Sequence, residues 1–109
     1  MDDQQFQRAV EAALEELKRA LIVVEEEAGF EVEESSGTLQ VLFEEPVAKF
    51  VITPNSPVRQ IWISALTSSF KLDWSDAING FVLGKTGESL KPLVARLINE
   101  QMGKKAVIF

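Results

Sequence analysis

Eight apolar residues, Phe6, Val10, Ala13, Leu14, Leu17, Leu21, Val24 and Ala28, recur at three- and four-residue spacing, and no such stripe returns until Leu90. That spacing is the period of one helical face and predicts a helix from about Asp3 to Ala28. Asp2 or Asp3 can cap its start, and Gly29 supplies the left-handed residue that commonly ends a helix. Between the two stripes the pattern has period two. Phe30 and Val32 alternate with Glu31 and Glu33, and Leu39, Val41 and Phe43 continue after the turn Ser35-Ser36-Gly37. Glu44-Glu45-Pro46 breaks the alternation before Lys49 to Ile52 resumes it, and Pro54-Asn55-Ser56-Pro57 reads as a second turn. Val58 to Leu66 alternates again, with Ile61, Ile63 and Ala65 on one face and Gln60, Trp62 and Ser64 on the other. Phe70 to Trp74 and, after the Asn79-Gly80 turn, Phe81 to Leu83 complete the strands.

The second stripe, Leu90, Leu93, Val94, Leu97, Ile98 and Met102, predicts a helix capped by Ser89, with Pro92 at its third position and Gly103 at its end. The tail Ala106-Val107-Ile108-Phe109 is too apolar to leave in water and is expected to pack beside the helices. The fold class is therefore α+β: a single domain over 1–109, a two-layer sandwich with two helices on one face of a five- to six-stranded antiparallel sheet. The other sheet face stays open. The aliphatic set of the Gln60 to Leu66 stretch belongs inside, so Trp62 stands on that open face, whereas Phe70 and Trp74 are expected in the core.

What the chain lacks narrows its chemistry. With no Cys and no His it has no disulfide, no thiolate or imidazole metal ligand, and no Ser-His-Asp or Cys-His nucleophile. A hydrolase built on paired carboxylates would need two acids about 5 to 9.5 Å apart in a cleft, and the acids here fall on helix and strand-edge surface. No apolar run approaches the roughly 18 residues that cross a bilayer. The acidic opening Met1-Asp2-Asp3 reads as no targeting segment, which in a bacterium means a cytoplasmic protein.

Charge is divided along the chain. Residues 1–45 carry thirteen acids against three bases, while 46–109 carry four acids against eight bases. The first half repels phosphate backbones and attracts a basic surface or a cation, which argues against nucleic acid as a partner. Such a field equally suits a solvated acidic face that keeps the protein soluble.

The element order, the signature Pro57-x-x-Gln60-Ile61-Trp62, Gly37-x-Leu39, Lys71-x-Asp73-Trp74 and Gly87-Glu88-Ser89-Leu90 together resemble the frataxin family over essentially the whole chain. That resemblance implies a non-enzymatic, iron-binding accessory protein of iron–sulfur cluster assembly. Its partners would be a cysteine desulfurase and an iron–sulfur scaffold protein, with no nucleic acid and no membrane. In the family, acids at the end of the first helix and along the first strand are implicated in iron and desulfurase binding. Here the penultimate turns hold Lys18, Arg19, Ile22 and Val23, so the acidic ridge is displaced to Glu11, Glu15 and Glu16 on one side and Glu25 through Glu34 on the other. Thr53 and Pro54 also replace the usual Asn and basic residue at the start of the signature.

By this reading the metal candidates are Glu15, Glu25, Glu26, Glu27, Glu31 and Glu33. Glu25, Glu26 and Glu27 are consecutive and fan over about 200° of a helix, so no tight cage is expected. Their oxygens suit ferrous iron, but also Mn, Ca or Mg, and binding should be weak and unselective. Glu15 can instead pair with Arg19 four residues on. The partner-binding candidates are Pro57, Gln60, Trp62, Ser64 and Lys71, with Trp62 as an exposed aromatic anchor. The chain is expected to be a monomer, although Ile22 and Val23 point outward and bear on self-association. The alternative is a generic acidic interaction or cation-buffering domain unrelated to sulfur transfer.

Overall fold

In the computed structural model, which describes all residues from Met1 to Phe109, the chain runs helix, six strands, helix. Helix α1 spans Asp3–Ala28, and its start is closed by a capping box in which Asp2 accepts from the Gln5 backbone while Gln5 reaches back to the Asp2 N–H. Gly29, at φ 95°, ends it. The strands are β1 (Phe30–Ser35), β2 (Thr38–Glu44), β3 (Val47–Asn55), β4 (Gln60–Ala65), β5 (Ser68–Ser75) and β6 (Gly80–Leu83), and α2 spans Leu90–Met102. The strands pair strictly in chain order, each antiparallel to the next.

One parity of every strand faces the helices. Leu39, Val41, Phe50, Ile52, Ile61, Ile63 and Leu72 are buried there beneath Phe6, Leu17 and Leu21 of α1 and Leu93, Leu97 and Ile98 of α2. Contacts place α2 over β6, while α1 crosses the sheet, its main contact on β1 and a further one on β6. Phe6 and Trp74 both meet Phe81 edge-on, with ring centroids 6.0 and 5.2 Å apart, which ties the start of α1 to the last hairpin. Phe70 and Trp74 accordingly lie on the core side. Val107 of the tail is buried against α2, held by Asn99, whose Oδ1 accepts the Ala106 and Val107 N–H groups at 2.8 and 2.9 Å. Ile108, by contrast, points into solvent.

β3 and β5 begin two residues earlier than the sequence expectation, at Val47 and Ser68, and two further boundaries change the kind of element. The segment Pro54-Asn55 is strand rather than turn: by this point β3 has outrun β2, whose first residue Thr38 bonds Thr53, so a proline sits where the sheet has a free edge. The next strand starts at Gln60 rather than Val58. Ser56–Val58 form one 3₁₀ turn instead, and Arg59 at φ 52° redirects the chain into β4. Ser89 does precede α2, but its side chain makes no capping bond. Its backbone bridges Val82 and so covers the edge of β6.

Candidate functional site

Two surfaces carry the predicted residues. The first is the sheet face that no helix covers. Cross-strand register puts Gln60 opposite Asp73, Trp62 opposite Lys71 and Ser64 opposite Ser69, and directly paired residues of an antiparallel ladder share a face. The indole N–H of Trp62 donates to Gln60 Oε1 at 2.8 Å, and Gln60 Nε2 donates to Asp73 Oδ1 at 2.9 Å. The Lys71 ammonium lies 4.7 Å from the centre of the Trp62 ring, a cation–π contact. Trp62 is half-buried by these neighbours, while Ser64 and Lys71 are exposed. Pro57 does not share this face. It belongs to the 3₁₀ turn, which contacts α1 and is followed by Arg59, paired with Asp3 at 2.9 Å. Asp73 was visible in the sequence only as part of a motif. Its role as the acceptor for Gln60 depends on the β4–β5 register, which no spacing within one strand reveals.

The second surface is the edge of β1 beside the end of α1. Glu25, Glu26, Glu31 and Glu33 line one open cleft of about 710 Å³ together with Gly29, Phe30, Val32, Leu42 and Glu44, and no basic residue lines it. Glu44, from the neighbouring strand, is the addition that local spacing could not supply. Two predicted ligands are absent. Glu27 does not line the cleft, as consecutive helical positions diverge by about 100° each. Glu15 lies in a separate group with Lys18, Arg19 and Glu34: Lys18 bridges Glu15 and Glu34 at 3.3 and 3.2 Å, and Arg19 reaches Glu15 at 3.1 Å. The Lys18 hydrogen bond and charge hold the Glu15 carboxyl below its ordinary range, and the Glu34 and Glu15 carboxylates raise Lys18. This cluster is neutral overall, so the unbalanced negative charge concentrates at the cleft.

The cleft as built does not fit a resident iron. No three carboxylates converge closely enough to hold one ion, and Glu25 is already engaged, its Oε2 accepting the Val32 N–H at 2.8 Å. The carboxylate oxygens lining the cleft are hard donors, the chemical type that suits hard cations.

A family model described as a frataxin-like domain matches residues 1–104. The chain belongs to the frataxin-like family. Among curated relatives, the iron-sulfur cluster assembly protein CyaY of Azotobacter vinelandii is 32% identical over 75 residues, covering 69% of this frataxin-like chain and 67% of that protein. The protein of the same name from Pseudomonas entomophila is 28% identical over 97 residues, 89% of this chain and 83% of that one. In three dimensions the chain resembles a frataxin from Psychromonas ingrahamii studied for stability modulation within the CyaY family. That likeness has a TM-score of 0.81 at 16% identity over 95% of this chain and 94% of the other, and it shows the fold. No helix of this frataxin-like chain is long and apolar enough to cross a membrane.

Proposed function

We propose that this chain is a non-catalytic accessory protein of iron–sulfur cluster assembly in the cytoplasm, acting by docking on a complex of cysteine desulfurase and scaffold protein. Membership of the frataxin-like family and relatives named for that process support the setting. The observation that carries the docking reading is Trp62, a large aromatic fixed by Gln60 and Lys71 on a sheet face that neither helix covers. Aromatic anchors of this kind supply a large share of interface energy at little cost in side-chain entropy. The cleft of Glu25, Glu26, Glu31, Glu33 and Glu44 adds long-range steering toward a basic surface on the desulfurase. Ferrous iron is weakly held cargo at that edge, and Mn, Ca or Mg can replace it.

The test is affinity for a purified desulfurase–scaffold complex. Trp62→Ala should weaken binding by about 30-fold or more with the fold intact. Reversing Glu26, Glu31 and Glu33 to Lys should lower the association rate and flatten its salt dependence. Binding indistinguishable from wild type in both variants would leave the plain acidic-module reading in its place.

A further inference from the structure

Four side chains make a two-by-two block on the open face: Gln60 and Trp62 on β4, Asp73 and Lys71 opposite them on β5. The amide of Gln60 is occupied at both ends, donating to Asp73 at 2.9 Å and accepting from the Trp62 indole at 2.8 Å. An indole N–H can only donate and an ionised carboxylate can only accept. Turned over, the amide would set two donors against each other at one end and two acceptors at the other. Its orientation is therefore dictated by the chemistry of its neighbours. The contacts form one chain: Asp73 accepts from Gln60, Gln60 accepts from the indole, and the Lys71 ammonium lies 4.7 Å from the ring centre. Trp74 is held separately, its N–H donating to Asp76 at 2.8 Å.

We propose that Asp73 is a positioning residue of the docking surface, which through Gln60 fixes the Trp62 indole in one orientation before a partner arrives. This rests on the reading of Trp62 as a docking anchor. A side chain fixed in advance loses less freedom on binding, so the chain Asp73–Gln60–Trp62 improves affinity although Asp73 need not touch the partner. Without the carboxylate, Gln60 can satisfy itself with water and the indole is released from its acceptor.

The chain has two indoles, whose N–H resonances in ¹⁵N-labelled protein are told apart with Trp62→Phe. Asp73→Ala should shift the Trp62 indole resonance and speed its exchange with solvent, leaving the Trp74 indole in place. Asp73→Asn, whose carbonyl still accepts from Gln60, should restore the wild-type signal. Affinity for the desulfurase–scaffold complex should fall about fivefold in Asp73→Ala, recover in Asp73→Asn, and fall no further when Asp73→Ala is added to Trp62→Ala. If Trp62→Ala weakens binding but Asp73→Ala leaves the indole and the affinity unmoved, the assignment of Asp73 is overturned while the docking face stands. An Asp73→Asn variant that behaves like Asp73→Ala overturns it as well. If Trp62→Ala binds like wild type, the docking reading itself fails and takes this proposal with it.

Discussion

Glu25 Oε2 accepts the backbone N–H of Val32 at 2.8 Å, so a carboxylate at the end of the first helix closes the free edge of the first strand. The strand needs this because β1 pairs on one side only, with β2, and an open row of donors invites pairing with another chain. Glu25→Ala should therefore cost about 1 kcal/mol of stability and lose amide protection at Val32, whereas Glu26→Ala and Glu27→Ala, at exposed positions, should change stability by less than about 0.5 kcal/mol. Denaturant melts with amide exchange distinguish these. Equal effects at all three positions would remove the edge-closing role.

Acid stability is governed in part by Glu88. Arg96 forks onto its two oxygens at 2.8 and 2.9 Å and reaches Glu100 with its remaining nitrogen, also at 2.9 Å. The Arg96 hydrogen bonds hold the Glu88 carboxyl below its ordinary value of 4.5, against a smaller opposing effect of burial. A depressed folded-state value means that the stabilisation is fully present above pH 4.5 and is lost as pH falls through the folded value. The Arg96 side chain is 41% exposed, so solvent screening holds the contribution to about 1 kcal/mol. Glu88→Gln should then be less stable than wild type at pH 7, and the gap should close on acidification toward pH 3. A gap that is independent of pH would show that the ion pair is not its source.

The two-residue turn Leu66-Thr67 between β4 and β5 carries φ of 54° and 62°, a left-handed conformation that a β-branched threonine adopts at a cost. Thr67→Gly should raise stability by about 1 kcal/mol. Leu66 should not be relieved the same way, because its side chain packs against the core. Thermal melts of Thr67→Gly and Leu66→Gly should move in opposite directions.

Asn99 fastens the tail with three bonds, accepting from Ala106 and Val107 and donating to the Val107 carbonyl at 3.1 Å. Asn99→Ala should cost about 2 kcal/mol and expose the tail to proteolysis. Asn99→Asp, which keeps the acceptor, should lose less. A tail equally resistant in Asn99→Ala would show that Val107 burial alone holds it.

Much of this was legible in the residues. Period 3.6 in α1 and α2 and period two between them can bury their apolar faces together in only a few ways, so the α+β order followed from pattern alone. The parity of Gln60, Trp62 and Ser64 likewise placed Trp62 outside the core, because Ile61, Ile63 and Ala65 had the stronger claim to burial. Strand ends were less legible at Pro54 and Val58. Whether a proline stops a strand depends on whether a neighbour still pairs there, and that is a property of β2 rather than of Pro54.

The sites depended still more on contacts between distant segments. The family resemblance pointed to Glu15, Glu25, Glu26, Glu27, Glu31 and Glu33 as metal candidates, although Glu15 already had Arg19 as a possible pair. Tertiary structure divided them: Lys18 drew Glu15 toward Glu34, the helical rotation excluded Glu27, and Glu44 entered from the next strand. The sequence alone determined the elements, the face on which Trp62 stands and the acidic bias of the first half, since these follow from local periodicity and composition. Only the folded chain decided which carboxylates share a cleft and that Asp73 orients Trp62 through Gln60, because strand register and helix rotation are set by how the whole core closes.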